Sequence, residues 1–386
     1  MLERLLRKKP KLEVLSVDAG STRTRCLAFG RTGKESAPVV LSYADEPSSG
    51  WSKGTIADED AVFASIARAV SKVSRGKDLA DCVIVCGIGS PGITGRASRN
   101  TLNLAGKRRV DGDDIAAIGQ LCGQVLLPNT EAILSVVPTH WQIDGNAVSK
   151  LRGAVGSQIA CDAYNIIAPA YSLAELESTF GHLKLARPVL FQFEALAASL
   201  AVLSKTECRQ GALVIDIGAQ SSGMAAWQED SLIAASGLVI GGDLFTRDAA
   251  YILQISFGEA EQLKIDYGMS APMRVIGTSQ PDKLDLSMRR NLRIALEARA
   301  YQFVGHIKEK ADFLPAKNGW TVVLVGGGAQ LKGLPAYMED TLGCSVRLGS
   351  PGKIPGLPEN LKIPEMSVVA GLAMSNLAMV KWIGEQ

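Results

Sequence analysis

Histidine is scarce in this chain of 386 residues, and its cysteines do not cluster. The three histidines are isolated from one another, and among the seven cysteines only Cys82 and Cys86 lie close in sequence. No group of these residues therefore has the spacing of a metal site built from thiolate and imidazole ligands. Scattered cysteines also indicate a protein of a reducing compartment.

Long apolar runs and an excess of charge of one sign are missing as well. No stretch is long enough to span a bilayer, and charged residues interrupt the first apolar residues, so nothing resembles a secretory signal. Lys and Arg number 41 against 39 Asp and Glu, and no basic block is interleaved with aromatics, which argues against nucleic acid as a partner. The length and an apolar content of 47% instead predict two or more folded domains, soluble in their body.

Three short segments, residues 14–22, 213–222 and 322–330, each consist of an apolar strand that runs directly into a Gly-rich turn. The first two strands end in Asp18 and Asp216, and each Asp is followed two residues later by a Gly and then by hydroxyl side chains. A Gly lets backbone N–H groups approach a phosphate, and a carboxylate at the strand end can hold Mg²⁺ directly or through water. Two such turns far apart in sequence predict a clamp on one nucleotide.

The third segment lacks an acid, and its pattern predicts that it opens a helix, which suits a surface for a base or ribose. A single turn of this kind has a simpler explanation, namely a tight strand-to-helix turn with a capping hydroxyl. Three turns of matched character in this order favour a two-lobed fold that clamps phosphate.

Further motifs resemble those of the actin, heat-shock protein and sugar-kinase superfamily, and within it the FtsA family of bacterial cell-division proteins. Residues 240–248, 260–264 and 267–268 resemble the entry into that family's fourth subdomain. The small inserted subdomain shared by FtsA and the pilus-assembly protein PilM is matched by residues 109–115, 134–138, 143–145 and 156–159. The resemblance extends from about residue 12 to about residue 379.

This resemblance implies an α/β, two-lobed actin-like fold, that is, a duplicated ribonuclease H-like fold. Lobe I is expected in residues 1–88 with 171–210 and 365–386, and lobe II in 211–245 with 318–364. The inserted subdomain is expected in 89–170 and the small subdomain of lobe II in 246–317. Alternating patterns predict strands at 14–29, 39–44, 82–86, 133–137 and 161–168, and helices at 58–73, 113–126 and 172–181. Helices at 193–203 and 367–373 match the two that connect the lobes.

By the same resemblance the ligands are ATP and Mg²⁺. Asp18 and Asp216 would bind the metal, directly or through water, and would take part in catalysis, with Glu194 as a water-organising acid. The remaining nucleotide contacts would come from Gly20, Ser21, Thr22, Arg23, Gly218, Ser221, Ser222, Gly241, Gly242, Glu261, Lys264, Gly326, Gly327, Gly328 and Ala329. For Glu261 and Lys264, a solvated pair three residues apart on a helix is an equal alternative.

The chain departs from the family at the second phosphate turn. Where the family continues Gly-Gly-Thr-Thr-Asp, residues 219–223 read Ala-Gln-Ser-Ser-Gly, so the closing carboxylate is lost. Acids organise Mg²⁺ and the attacking water in phosphoryl transfer, which predicts nucleotide binding with slow or absent hydrolysis. In the first turn Arg23 replaces a common Lys, which keeps the charge and changes its geometry.

An FtsA-like protein would polymerise, link the tubulin-like FtsZ ring to the cytoplasmic face of the membrane at the division site, and recruit other division proteins. The helix expected at 289–312 would bind the acidic C-terminal peptide of FtsZ. Its candidate contacts are Arg289, Arg290, Arg293 and Arg299. A solvated cationic face is the alternative explanation of these arginines.

Membrane attachment is expected to differ from that of the family, which normally ends in a linker and an amphipathic helix. This chain stops at Gln386, shortly after the second connecting helix. Residues 1–9 place three leucines on one helical face among basic residues, so they could form a short interfacial anchor that needs acidic lipid and many copies. A frayed, charged N-terminus is the alternative.

Two rival functions stay open at this point. A PilM-like adaptor of type IV pilus assembly would share the inserted subdomain and a basic, Lys-rich N-terminus. A small-molecule kinase of the same superfamily would need a substrate pocket and a base near the γ-phosphate. The sequence has no sugar-binding motif, and the inserted subdomain also argues against a kinase.

Overall fold

The structure, a computed structural model, describes residues 11–31, 39–76, 79–183, 185–270, 285–311, 319–352 and 354–375. The N-terminal segment expected to contact a membrane, residues 1–9, lies outside the described residues, as does Asp312 at the expected end of the arginine-bearing helix. No helix in these ranges is both long enough and apolar enough to cross a membrane.

Strands and helices alternate along the chain. The strands are β1 (Lys11–Ala19), β2 (Arg23–Arg31), β3 (Val39–Pro47), β4 (Trp51–Ser52), β5 (Thr55–Ile56), β6 (Val83–Ile88), β7 (Thr94–Arg109), β8 (Glu131–Ile143), β9 (Asn146–Val148), β10 (Val155–Pro169), β11 (Leu190–Phe193), β12 (Ala212–Ile217), β13 (Ser222–Gln228), β14 (Ser231–Leu238), β15 (Thr321–Val325) and β16 (Ser345–Leu348). The helices are α1 (Glu59–Ser74), α2 (Gly112–Cys122), α3 (Ala170–Gly181), α4 (Glu194–Val202), α5 (Lys205–Gln210), α6 (Gly242–Leu253), α7 (Phe257–Tyr267), α8 (Leu286–Lys310), α9 (Leu334–Leu342) and α10 (367–375).

Two five-stranded sheets form the centres of the two lobes, and they share one topology. Lobe I has the order β11-β6-β1-β2-β3 and lobe II the order β16-β15-β12-β13-β14. In each sheet an antiparallel pair, β1 with β2 or β12 with β13, continues into a strand parallel to the first, β6 or β15. Strands β1 and β12 are almost entirely buried, as expected for strands covered on both faces. The predicted duplicated actin-like fold is confirmed.

Local sequence explains where the helices begin. The Asp58 side chain accepts a hydrogen bond from the Ala61 N–H and caps α1, while Arg75 ends that helix in a left-handed conformation (φ 50°). A reciprocal pair of hydrogen bonds between Asp111 and Asp114 starts α2. That helix ends at Cys122, four residues before the predicted end at 126, and the N–H groups of Gly123 and Gln124 donate to its last carbonyls.

Helices α4 and α10 lie between the two lobes. Their small side chains pack with strands of both sheets in one apolar cluster that includes Ala197, Val214, Val323 and Ala370. At Gly371 the helices approach so closely that a Cβ would lie 1.8 Å from the backbone oxygen of Ala197. These are the two predicted connecting helices, and their close crossing is where the lobes meet.

The inserted subdomain is a sheet of order β7-β10-β8-β9 with α2 packed on one face. Strand β7, sixteen residues long, was not predicted, because its exposed face is polar and its alternation is broken near both ends. The subdomain also touches lobe II. The Tyr164 hydroxyl accepts a hydrogen bond from the backbone N–H of Ala235 (3.1 Å), and the Gly237 N–H donates to the Ile93 carbonyl (2.8 Å).

Candidate functional site

A cavity of about 910 Å³ separates the lobes, and all three Gly-rich turns border it. The turn after β1 approaches from lobe I and the turn after β12 from lobe II, so the duplicated sheets bring Asp18 and Asp216 to one cleft. The cleft is lined by most of the predicted site residues, namely Asp18, Gly20, Ser21, Thr22, Arg23, Glu194, Asp216, Gly218, Ser221, Ser222, Gly242, Glu261, Lys264, Gly326, Gly327 and Gly328.

The two aspartates are both buried at the cleft. Burial is the larger cause that raises the pKa of Asp18 to about 6, and the nearby Arg25 partly offsets it. For Asp216, burial and then the charge of Asp18 raise the pKa to about 7. Without a bound cation, these carboxylates hold protons more tightly than exposed ones do.

Glu194, the first residue of α4, reaches the same region. Burial, followed by the charges of Asp18 and Asp216, raises its pKa well above the ordinary value. Two glycines make room for its side chain, since a Cβ at Gly87 would lie 2.8 Å from Glu194 Cγ and one at Gly89 would overlap the carboxylate. Glu194 is therefore held close to both aspartates by the backbone that follows β6.

The second phosphate turn contacts lobe I directly. Gln220 Oε1 accepts a hydrogen bond from the Gly54 N–H (3.1 Å), and Gln220 Nε2 donates to the Trp51 carbonyl (3.3 Å). The Ser221 hydroxyl donates to the Gly89 carbonyl (3.0 Å). These side chains thus bridge the lobes at the phosphate end of the cleft, and the three hydrogen bonds are called the interlobe bridge below. The Ser222 hydroxyl instead points away and donates to the Ile240 carbonyl (2.6 Å).

The third turn packs onto the second. Gly326 has a φ of 82°, and a Cβ there would lie 2.4 Å from Asp216 Oδ1. The turn continues as a short 3₁₀ helix, Gly327–Gln330, rather than opening directly into an α-helix. Ala329 is fully buried, and Gly241 packs behind the second turn, where its Cβ would meet the Ala219 carbonyl. Neither residue lines the cleft, so their predicted contact with nucleotide is corrected to a supporting place behind it.

Glu261 and Lys264 lie on the cleft face of α7. Lys264 Nζ is 2.7 Å from Glu261 Oε2, 2.8 Å from Thr246 Oγ1 and 3.1 Å from the Gly242 carbonyl, while Thr246 also donates to Glu261. The lysine side chain is only 12% exposed. These contacts form a half-buried network that joins α7 to the start of α6. Glu261 and Lys264 are therefore not the solvated pair that the sequence left open as the alternative.

Sequence reasoning missed several residues that line the cleft. Arg25 faces Asp18 from the neighbouring strand, and Phe257 and Ile265 flank Glu261 with apolar surface. Glu365 receives a hydrogen bond from Gln330 beside the third turn, and its other carboxylate oxygen has no partner among the described residues. The sequence could have indicated Arg25, because alternation along β2 puts it on the same face as the predicted residue Arg23. The other missed residues come from segments that are distant in sequence from the three turns.

The residues present fit a magnesium ion that arrives with phosphates. Within the described ranges, no group of three or more Asp, Glu, His or Cys side chains could hold a metal by itself. Mg²⁺ usually keeps several waters and takes one or two carboxylates plus phosphate oxygens. Asp18 and Asp216, buried with raised pKa values and next to glycine turns, offer such a partial set.

The predicted arginine face on α8 is largely not a free surface. Arg289 is 2% exposed and stacks 5.5 Å from the centre of the Tyr267 ring. Arg299 forms two hydrogen bonds to the Asp248 carboxylate, which fix α8 against α6. The expectation that both contact a partner is corrected, since they are used inside the subdomain. Arg290 and Arg293 remain exposed, Arg293 beside Glu297 one turn later.

Known proteins resemble this chain in sequence and in structure. The family model described as "Cell division protein FtsA" matches residues 213–371. Cell division protein FtsA of Rhizobium meliloti (strain 1021) is 27% identical, over 93% of this chain and 86% of that protein. The protein of the same name from Bacillus subtilis (strain 168) is 23% identical, over 88% of this chain and 79% of its own length. The chain is thus similar in sequence to FtsA proteins over most of its length.

Solved structures support the fold of this chain. The PilM-PilN type IV pilus biogenesis complex contains a chain with a TM-score of 0.65 and 19% identity, covering 95% of this chain and 99% of its own. MreB 5 of Spiroplasma citri bound to AMPPNP gives a TM-score of 0.57 and 15% identity, over 97% of this chain and 99% of that one. Both likenesses concern the actin-like fold alone.

Proposed function

We propose that this FtsA relative is a nucleotide-dependent cell-division protein that polymerises and links the FtsZ ring to the cytoplasmic face of the membrane, where it recruits other division proteins. The observation that carries the proposal is the convergence of Asp18 and Asp216 on one interlobe cleft, in a chain whose relatives are FtsA proteins over most of its length. Lobe closure around a ligand is the output of such a fold.

The ligands of the cleft are ATP and Mg²⁺. Asp18 and Asp216 hold the metal, directly or through water, and the turns at 20–23 and 218–221 offer backbone N–H groups and hydroxyls to the phosphates. The Ser222 hydroxyl is engaged with the Ile240 carbonyl and supports the second turn instead. When bound, Mg²⁺ neutralises phosphate charge and organises the reacting oxygens. The apolar surface of Phe257 and Ile265 and the glycines of the third turn suit the adenosine.

Hydrolysis is slow or absent. The second turn lacks the family's closing carboxylate, and Gln220 at that turn is engaged with lobe I. Glu194, the remaining acid that could activate a water, has a pKa raised well above its ordinary value by burial and by the charges of Asp18 and Asp216, so it holds its proton more tightly than an exposed glutamate does. Binding, rather than turnover, therefore controls the lobes.

The partner surface for the acidic FtsZ peptide is reduced to the exposed side of α8. Arg290 and Arg293 supply positive charge there, and Ile294 and Tyr301, 47% and 72% exposed, supply apolar area along the same helix. Mixed cationic and apolar contacts suit a short acidic peptide with apolar anchors. Residues 1–9 supply a weak membrane anchor, which many copies in a polymer strengthen.

Co-sedimentation with acidic liposomes tests this proposal. The protein is mixed with the liposomes, with and without Mg·ATP, in the presence of the C-terminal peptide of FtsZ. We expect ATP-dependent pelleting that carries the peptide along. A double variant, Arg290→Glu with Arg293→Glu, should pellet as before and lose the peptide. The control is a double variant with the same change of charge in α5, Lys205→Glu with Arg209→Glu, which should retain it.

Other results separate the alternatives. Pelleting without peptide recruitment would contradict the link to FtsZ and favour a PilM-like adaptor. Unchanged pelleting with and without Mg·ATP would contradict nucleotide control of assembly. A protein that starts at Lys11 and binds liposomes as well as the full chain would remove residues 1–9 from the proposal.

A further inference from the structure

Arg25 occupies the centre of a row of charges that crosses the sheet of lobe I. It stands opposite Asp18 in the β1–β2 register and opposite Asp45 in the β2–β3 register. Residues directly opposite on adjacent strands have their side chains on the same face. The sheet itself therefore lines up Asp18, Arg25 and Asp45 toward the cleft.

The distances show how the guanidinium is held. Arg25 Nε lies 3.6 Å from Asp45 Oδ1, and Arg25 Nη1 lies 3.9 Å from Asp18 Oδ2. Asp45 is fixed in turn by Arg23, whose Nε donates to the Asp45 carboxylate (2.8 Å) and whose Nη2 donates to the Asp45 carbonyl (3.0 Å). With a side chain only 17% exposed, Arg25 lies between the two carboxylates and lines the cleft.

Arg25 differs from the other cations that line the cavity in the described part of the chain. Lys264 is tied to Glu261 at the adenosine side, Lys332 donates to the Asp266 carbonyl, and Arg23 is 39% exposed at the rim. Of these four cations, Arg25 is the one whose charge lowers the pKa of both Asp18 and Asp216. It is thus the positive group placed at the phosphate end.

We propose that Arg25 is a built-in cation of the phosphate site, which contacts the phosphate chain and makes nucleotide binding less dependent on Mg²⁺ than binding by carboxylates alone. The proposal rests on the proposed nucleotide binding and deepens it. A guanidinium stays charged at every relevant pH and offers several donors to phosphate oxygens. Two buried carboxylates without it would repel a triphosphate that arrives without a metal.

This role has a measurable consequence, the ratio of the Kd for ATP in EDTA to the Kd in excess Mg²⁺. If Arg25 and Mg²⁺ supply charge to the same phosphates, loss of Arg25 should raise this ratio by about tenfold or more, the effect of one charge-assisted hydrogen bond. A merely structural arginine would change both Kd values by the same factor and leave the ratio unchanged.

The experiment is a calorimetric titration of ATP into the full chain in both solutions, for the wild type, Arg25→Ala and Arg25→Lys. The control is Arg31→Ala, because Arg31 lies on the same strand, faces Glu13 and does not line the cavity. We expect a raised ratio for Arg25→Ala, an intermediate one for Arg25→Lys and the wild-type ratio for Arg31→Ala. If Arg25→Ala does not fold, Arg25→Gln replaces it in the same comparison.

The possible failures are distinct. Equal ratios among variants that bind ATP would overturn the role of Arg25 and leave the proposed nucleotide binding intact. No ATP binding by the folded wild type in either solution would contradict the proposed function itself.

Discussion

Asp18 and Asp216 are placed where an ionised carboxylate lowers the stability of the fold but suits the binding of a cation. Both are 7% exposed, and the charge of each raises the proton affinity of the cleft. Buried carboxylates without a paired cation cost stability when they ionise. Under the proposed function the same carboxylates bind the metal, so the nucleotide-free protein retains this cost.

This placement predicts a pH dependence of stability. The pKa values in the folded state, about 6 for Asp18 and about 7 for Asp216, lie above the unfolded value near 3.8, so the folded state binds more protons between these values. Their contribution to the free energy of unfolding therefore falls as the pH rises through this window, and the loss is complete above pH of about 7.

Asp216→Asn should remove part of this loss. Without nucleotide at pH 8, we expect the variant to melt at a higher temperature than the wild type, by about 2–4 °C for each kcal/mol relieved, and the difference should shrink toward pH 5. Differential scanning calorimetry over this pH range measures it. A variant that melts below the wild type at pH 8 would show that the carboxylate stabilises the empty cleft.

The second phosphate turn makes contacts in the folded protein that its sequence pattern does not predict. From the sequence, residues 219–223 indicate a lost carboxylate and bulkier side chains beside the phosphates. They do not indicate the interlobe bridge, because the partners Trp51 and Gly54 lie more than 160 residues away in the chain. A contact between such distant segments is fixed by how the lobes pack, which no local pattern encodes.

The interlobe bridge should slow the opening of the cleft. Gln220→Ala removes two of its hydrogen bonds, each with a net value of about 1 kcal/mol, so release of a fluorescent ATP analogue should speed up by as much as about 30-fold. Stopped-flow displacement with excess ATP measures the rate. Gln228→Ala, at the far end of β13, is the matched control and should leave the rate unchanged. An unaltered rate for Gln220→Ala would show that the bridge does not limit release.

Helix α8 shows the opposite case, in which a sequence pattern overstated a site. Its arginines were grouped as one cationic face, but their spacing distributes them around the helix. Arg289 is directed inward against Tyr267 and Arg299 toward Asp248 on α6. Long apolar stems allow arginines to be buried when a ring or a carboxylate receives the head group. The partners that decide this lie on other helices.

At the scale of the whole molecule, the fold could be predicted further than the site. Turns such as Asp18–Gly20 and Asp216–Gly218 are local, so the sequence predicts a two-lobed fold from them, and the resemblance to FtsA implies the connecting helices and the inserted subdomain. The distances between lobes, the burial of Ala329 and the contact of the inserted subdomain with β14 depend on packing between distant segments. These features required the structure.

The close crossing of α4 and α10 should make Gly371 sensitive to any side chain. Gly371→Ala places a methyl group within 1.8 Å of the Ala197 carbonyl position, so the helices must separate, and we expect a loss of about 1–3 kcal/mol in the free energy of unfolding. Chemical denaturation measures this loss. Gly305→Ala in α8 is the matched control, because its Cβ meets nothing within 4 Å.

The two glycine variants should change stability in opposite directions. Gly305→Ala should gain roughly 0.5–1 kcal/mol from helix propensity alone. Equal effects of the two substitutions would mean that the crossing at Gly371 is not tightly packed, and the close contact between the lobes would lose its support.

The most direct measurement is calorimetric titration of Mg·ATP into the wild type, Asp18→Asn and Asp216→Asn, with Asp230→Asn as control. Asp230 is exposed and forms an ion pair with Arg209 on the surface of lobe II. If both aspartates hold one Mg·ATP between the lobes, the wild type and the control bind with equal affinity, and each cleft variant binds at least about tenfold more weakly. Equal binding by all four proteins, or none by the wild type, would contradict the two-sided nucleotide clamp.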